Sequence, residues 1–219
     1  MSNSTKTPRV NRSTPPRLFY HGRHREAFPY LMVDFQQRCA YSMQHISRAG
    51  GPKNMQVDHF NPNHKPDYFQ EYSNLFLATG HCNGSKSDRW PTNKERNKGV
   101  HYLNCTKEMD YGVYIFEDPD THEVVGVTPA GRYHVLSCDL NAPHFITERT
   151  KRAGYWVTLN NTPAHARTSD IYQSMFGIVN EMIPPIPYLS GQALVDRRAK
   201  RLKRDSLSRG SIIQTSAMP

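Results

Sequence analysis

Two short apolar segments joined by a polar loop constrain the fold of this chain more than any other feature. Met55 to Phe60 and Asn74 to Ala78 have the apolar and aromatic content of short strands. The proline-rich segment Asn61 to Tyr72 must then be the loop between them. A helix can begin at Asn83 and is interrupted at Pro91, so the predicted order is strand, loop, strand and helix.

Composition bounds the class of protein. A chain of 219 residues with 37% apolar and 11% aromatic residues can bury a core, as one domain or as a small domain with appendages. No apolar run approaches the length of a membrane span, and the N-terminus lacks the apolar core of a signal peptide. We therefore expect a cytoplasmic protein without a membrane partner.

Positive charge is concentrated near the two ends of the chain, whose net charge is +9. Residues 1–25 carry six Lys or Arg residues and no acid, and residues 197–209 carry seven against a single Asp. Clustered cations suit a phosphate backbone, because binding releases condensed counterions. The alternatives are solvated tails and a docking segment for an acidic partner. The candidate contacts with nucleic acid in the second cluster are Arg197, Arg198, Lys200 and Arg201.

Polar residues at the ends of the predicted strands and helix have the chemistry that phosphodiester hydrolysis requires. Such hydrolysis needs a water nucleophile, a base and positive charge near the phosphate. His59 is the natural base, because an unperturbed imidazole is largely neutral at pH 7. Asp58 and Asn83 offer hard oxygen ligands for a divalent cation. Lys86 follows Asn83 by three residues, on the same face of a helix, where its charge can meet the phosphate.

Three further residues near this segment are candidates for weaker roles. Asn74 follows His59 by 15 residues, where the second strand would begin. Its amide can donate and accept, so it could tie the loop to the strand or orient the imidazole. His64 in the loop and Arg89 after the helix are weak candidates for contact with nucleic acid.

The order Asp-His, Asn-Leu and Cys-Asn-x-x-Lys within about thirty residues resembles the ββα-metal motif of HNH endonucleases. It is also similar to the HNH domains of CRISPR effector nucleases, which use Asp-His and Asn-x-x-Lys. The resemblance implies that Asp58 and Asn83 ligate Mg2+, Mn2+ or another divalent cation, and that His59 is the general base. It also implies that Asn74 is the structural asparagine and Lys86 the basic residue after the last ligand.

The chain departs from that family where many members hold a structural zinc ion between two Cys-x-x-Cys pairs. The corresponding stretches here are Cys39-Ala40-Tyr41-Ser42 and Thr79-Gly80-His81-Cys82. Two thiolates beside Ser and Thr make a poor tetrahedral zinc site, although His81 or His45 could substitute. We expect that no structural zinc binds, and that Cys39 and Cys82 pack against each other in the core.

Elsewhere, the apolar pattern predicts further elements. Amphipathic helices are expected at Arg23 to Ile46, Asn141 to Leu159 and Ser169 to Ile183. Strands at Tyr111 to Glu117, Glu123 to Val127 and Arg132 to Leu136 predict a small antiparallel meander. The predicted parts are a flexible basic arm (1–22), an HNH core with its preceding helix (23–98), a β meander (99–140), a helical region (141–190) and a basic tail (191–219).

Together these features predict an α+β protein built on a ββα-metal core with flanking helices. The function we expect is metal-dependent cleavage of DNA, with RNA as the alternative substrate. The small domain with basic ends also resembles nuclease subunits of bacterial anti-phage systems of the Septu kind, which implies an ATPase partner. Two alternatives stay open: a stand-alone restriction, homing or phage HNH nuclease, and a non-catalytic nucleic-acid-binding adaptor with an HNH fold.

Overall fold

The computed structural model describes residues 8–14, 19–20, 23–64 and 69–215. Its strands form three antiparallel pairs: β1 (Phe19–Tyr20) with β3 (Phe69–Gln70), β2 (Met55–His59) with β4 (Leu75–Thr79), and β5 (Ile115–Glu117) with β6 (Val124–Gly126). The helices are α1 (Phe28–Asp34), α2 (Gly80–Lys86), α3 (Asn93–Arg96), α4 (Pro129–Ser137), α5 (Pro143–Asn161), α6 (Asp170–Glu181) and α7 (Gly191–Thr215). Helices combined with small antiparallel sheets make an α+β architecture, as predicted.

The β2–β4 pair and α2 form the unit that positions the candidate site. The two strands pair over their whole length, which places His59 opposite Leu75. α2 follows β4 directly, because Thr79 Oγ1 accepts a hydrogen bond from Cys82 N at 3.3 Å and caps the helix. The predicted order of strand, loop, strand and helix is confirmed, with α2 beginning three residues before Asn83. The connecting segment also contains β3, which pairs with β1.

The helix predicted from Arg23 to Ile46 is wrong in length, because α1 ends at Asp34. Two glutamines after α1 have positive φ angles of 51° and 58°, which stop a helix. The chain then folds into a compact turn, in which Cys39 N donates to Gln44 O at 2.9 Å. Phe35 and Cys39, which continue the apolar pattern beyond α1, are buried without being helical.

The third strand of the predicted meander, Arg132 to Leu136, is wrong because these residues belong to α4. Thr128 Oγ1 accepts a hydrogen bond from Gly131 N at 3.0 Å, and Pro129 takes the first helical position. α4 lies so close to the β5–β6 hairpin that a Cβ on Gly131 would come within 2.2 Å of Tyr114 O. The predicted meander is therefore a hairpin covered by a helix.

Residues 8–14, which we assigned to a flexible basic arm, are packed against the core. Arg9 forms an ion pair with Asp110 at 2.6 Å. The Arg12 guanidinium lies 4.6 Å from the centre of the Phe76 ring. This part of the predicted arm is thus held by specific contacts, and its residues 1–7, 15–18 and 21–22 lie outside the described residues.

The C-terminal helices are joined to the hairpin by ion pairs. The two helices predicted from the apolar pattern are confirmed as α5 and α6. Arg152 of α5 donates to both carboxylate oxygens of the buried Glu117 in β5, at 2.8 and 2.6 Å. Such a bidentate contact fixes the orientation of α5 as well as its distance from the hairpin. None of the helices in the described ranges combines the length and the apolar content that a membrane span needs.

Candidate active site

A cleft of about 330 Å³ lies between the end of β2 and the middle of α2. Asp58 and His59 line it from the strand, and Asn83 lines it from the helix. The remaining lining residues are Val57, Gly84, Ser87 and Asp88. The structure therefore brings the two predicted metal ligands and the predicted base to one solvent-accessible cavity. We call this cavity the catalytic cleft, after the role that the sequence predicts for these residues.

Asp58 is a buried carboxylate with its own hydrogen-bond donors. Only 6% of the residue is exposed, and the Tyr41 hydroxyl donates to its Oδ2. Lys86 Nζ lies 3.2 Å from Oδ1 and 3.1 Å from Oδ2. Burial raises the pKa of Asp58, and the charge of Lys86 acts in the opposite direction. No local pattern links Tyr41 with Asp58, because 17 residues of the chain separate them.

Lys86 was expected to contact the phosphate, but its side chain points into the protein. Its side chain is fully buried and also donates to His59 O at 2.9 Å. Its ammonium group lies 5.5 Å from the centre of the Tyr102 ring. Lys86 is therefore the buried ion-pair partner of Asp58. The prediction that it contacts phosphate directly is corrected.

His59 lies at the edge of the catalytic cleft and is partly exposed. The His24 ring packs beside it, with 5.1 Å between ring centres. His24 belongs to a short 3-10 turn before α1 and was not among the residues predicted for the site. No local pattern links His24 with β2, which begins at Met55.

Asn74 ties the loop after β2 to the start of β4. Its Oδ1 accepts from Asn61 N at 2.8 Å, and its Nδ2 donates to the carbonyl oxygens of Asn61 and His64 at 3.0 and 2.9 Å. Of the two roles considered for this amide, loop bracing is the one that these contacts support. The His64 and Arg89 side chains are exposed, and their contact with nucleic acid stays a prediction.

Asn83 is oriented by a neighbour that the sequence analysis missed. Its Nδ2 donates to Gln56 Oε1 at 2.7 Å. Because the nitrogen branch of the amide makes this bond, the oxygen branch is directed away from Gln56, as a cation ligand requires. Gln56 is the exposed residue between two buried ones in β2, and that alternation was the available signal.

The donors in the catalytic cleft fit a hard divalent cation with few protein ligands. An ionised carboxylate has about four acceptor sites, so Asp58 can keep one for a cation beside Tyr41 and Lys86. The Asn83 amide and the Asp88 carboxylate offer further oxygen atoms. Within the described ranges, no three His, Cys, Asp or Glu side chains form a metal-binding group. Mg2+ is commonly held by one or two protein oxygens with water and substrate phosphates, so Asp58 and Asn83 are the residues that would hold it.

Cys39, Ser42, Thr79 and Cys82, which we call the cysteine cluster, meet in the core. Thr79 N donates to Cys39 Sγ at 3.3 Å, and the Cys39 thiol also has hydrogen-bonded neighbours in Ser42 and Cys82. Burial opposes ionisation of Cys39, but these hydrogen bonds bring its pKa below the ordinary value. Burial raises the pKa of Cys82. The predicted packing of Cys39 against Cys82 is confirmed, and the absence of zinc stays a prediction.

The basic residues predicted to bind nucleic acid from the C-terminal tail lie on α7, close to an acidic turn. Arg197 pairs with Asp118 and Glu123. Arg198 and Arg201 each pair with Asp120 at 2.7 Å. Lys200 is exposed on the same helix. Three of the four predicted contacts are therefore engaged within the protein, which the local charge pattern did not predict.

Comparison of the chain with protein-family models, with curated proteins and with solved structures finds no match.

Proposed function

We propose that this protein is a metal-dependent endonuclease with an HNH-type active site that hydrolyses phosphodiester bonds, with DNA as the substrate and RNA as the alternative. One observation carries the proposal. Asp58, His59 and Asn83 line a single cleft at the junction of two antiparallel strands and a helix, and Asn74 braces the loop that follows the first strand. A base and hard oxygen ligands at one solvent-accessible place are the parts that this hydrolysis requires.

In the proposed reaction, His59 removes a proton from a water molecule in the cleft. The water oxygen forms a bond to phosphorus, and the bond between phosphorus and the 3′-oxygen breaks. The leaving oxygen then takes a proton from solvent. A divalent cation held by Asp58 and Asn83 would supply positive charge next to the phosphate and the leaving oxygen.

Lys86 and Tyr41 support this chemistry from beneath the cleft. Burial alone would favour the protonated form of Asp58, which cannot ligate a cation. The Lys86 ammonium and the Tyr41 hydroxyl both hydrogen-bond to the carboxylate and favour its ionised form. Gln56 holds Asn83 by its amide nitrogen. We assign Lys86, Tyr41 and Gln56 to positioning roles.

A plasmid-nicking assay with Mg2+ or Mn2+ tests the proposal. His59→Ala should lower the rate at least about 100-fold, because a general base contributes factors of this order. His165→Ala is the matched control, since His165 is exposed in a 3-10 turn between α5 and α6. Nicking by wild type and by the control, with none by His59→Ala, supports the enzyme. Equal rates for all three proteins would contradict the assignment of His59 as the base, whereas an inert wild type that still binds DNA would favour the adaptor alternative.

We also propose, from the resemblance alone, that the nuclease acts in anti-phage defence beside an ATPase subunit. Purification of the tagged chain from its native host tests this proposal. Recovery of a stoichiometric ATPase supports it, and a chain that nicks DNA at full rate without any partner favours the stand-alone alternative.

A further inference from the structure

A second and larger cleft, of about 750 Å³, borders the N-terminal end of α2. Gly80 and His81 line this second cleft, whereas Asn83 and Gly84 line the catalytic cleft. Four residue steps separate Gly80 from Gly84 and two separate His81 from Asn83, so the two linings are about 3 to 6 Å apart along the helix axis.

Gln56 joins the two clefts. Its Oε1 accepts the hydrogen bond from Asn83 in the catalytic cleft. Its Nε2 would lie 3.4 Å from a Cβ placed on Gly80 in the second cleft. Gln56 therefore contacts one lining residue of the catalytic cleft and lies beside one lining residue of the second cleft, which makes the two cavities neighbours.

Basic and polar side chains from three separate elements line the second cleft. Arg48 comes from the turn before β2, His81 from α2, and His144 and Lys151 from α5. Arg48 and Lys151 are exposed, and the described residues show no ion pair for either. The ring centres of His81 and His144 are 4.7 Å apart. These side chains present two fixed positive charges and two imidazoles to one cavity.

The acids near the second cleft are already engaged. Glu148 lines it but is buried, and its two carboxylate oxygens accept hydrogen bonds from Gln44 Nε2 at 2.7 Å and Ile183 N at 2.9 Å. Asp139 Oδ2 forms a hydrogen bond with His81 Nε2 at 3.0 Å. The exposed charge of the cavity is therefore positive, which fits an anionic ligand.

Resting on the proposed function, we infer that the second cleft binds the phosphate backbone of the nucleic-acid strand that crosses the catalytic cleft. Arg48 and Lys151 contact the phosphates as cations, and the two imidazoles contribute hydrogen bonds. The contacts are to the backbone alone, so they position the strand and read no sequence. In this arrangement α5 contributes to substrate binding through His144 and Lys151.

Salt-dependent binding of a fluorescent DNA duplex tests this inference. The titrations are run in EDTA, so that no cleavage is needed. The plot of log affinity against log salt should become less steep by about 2 in Arg48→Ala/Lys151→Ala, because each lost phosphate contact contributes about 0.9. The matched control is Lys94→Ala/Lys107→Ala, which removes the same charge from exposed positions outside both clefts. It should leave the slope nearly unchanged.

The outcomes separate this inference from the proposed function. A slope that the double variant does not change, or that the control changes equally, overturns the second cleft as a backbone site and leaves the nuclease intact. A duplex that wild type does not bind also overturns it. A reduced slope without any nicking in Mg2+ or Mn2+ supports the second cleft and contradicts the nuclease. Labelled ATP that binds wild type but not the double variant, with duplex binding unchanged, would assign the cleft to a free nucleotide.

Discussion

The cysteine cluster and the catalytic cleft both include residues of β4 or α2, but their polar groups differ in exposure and in hydrogen bonding. In the cysteine cluster, all four side chains are buried and satisfy each other by hydrogen bonds. In the catalytic cleft, His59 and Asn83 face a cavity while their supports, Lys86 and Tyr41, are buried behind them. A buried polar group needs a partner inside the protein, whereas a group that acts on a ligand must keep some capacity for it.

This difference bears on the departure of the chain from the HNH pattern that it resembles. Ser42 and Thr79 stand where the HNH pattern of the zinc-binding proteins has cysteines, and both form hydrogen bonds with Cys39. Thr79 also caps α2, the helix that carries Asn83. Changes in the cysteine cluster should therefore act on the scaffold, and changes in the cleft on the proposed chemistry.

The largest expected effect is a gain of metal binding when the cysteine cluster is given two more cysteines. Ser42→Cys/Thr79→Cys should bind one Zn2+ or Co2+ per chain, because it places four sulfur ligands where the side chains already meet. Structural zinc binding of this type is worth about 10 to 16 kcal/mol in small peptides, so thermal stability should rise with zinc. Metal content and thermal melting of the purified proteins measure both. One zinc ion per wild-type chain would contradict our account of the cluster.

The next effect concerns the support beneath the catalytic cleft. Lys86→Ala should destabilise the protein by about 3 to 5 kcal/mol, because it leaves the buried Asp58 carboxylate without its ion-pair partner. Urea denaturation compares this variant with Lys94→Ala, which changes an exposed lysine. Asp58→Asn/Lys86→Met, which removes both charges, should recover much of the loss. A Lys86→Ala protein as stable as the control would show that the pair contributes little.

A smaller effect comes from His134, which lies in the core between the two regions. Burial lowers the pKa of His134 to about 4, and its Nδ1 accepts a hydrogen bond from Leu103 N at 3.1 Å. The unfolded chain binds the proton more readily, so stability falls as pH drops from 6.5 toward 4. By pH 5 the loss from this group should be about 2 kcal/mol.

Denaturant titrations at pH 7 and pH 5 test this dependence. His134→Gln should lose less stability over that interval than wild type, and His165→Ala, an exposed control, should behave as wild type. An equal loss in all three proteins would assign the pH dependence to other groups.

The β2–β4–α2 unit was accessible from the sequence because its signals are local. Short apolar segments, a proline-rich loop and a capping threonine lie within about thirty residues and need no distant partner. Pro129 shows the limit of such reasoning. The predicted meander places Pro129 between two strands, but after Thr128 it starts α4, and the close approach at Gly131 shows that this helix packs on the hairpin.

The partners of charged residues were not accessible, because they come from distant parts of the chain. Lys86 is buried only because Asp58 lies 28 residues earlier on β2, and Arg197 meets Asp118 across 79 residues. From the sequence alone, Lys86 and Arg197 look the same as basic residues that bind a ligand, although both are paired within the protein. The second cleft was missed for the same reason, since Arg48 and Lys151 belong to separate elements that only the fold brings together.

The measurement that tests the central claim most directly is the Mn2+-dependent nicking rate of wild type, His59→Ala and Ser42→Cys, determined side by side. Our account predicts that His59→Ala is slower by at least about 100-fold, while Ser42→Cys in the cysteine cluster stays close to wild type. Equal rates for wild type and His59→Ala would contradict the assignment of the catalytic cleft.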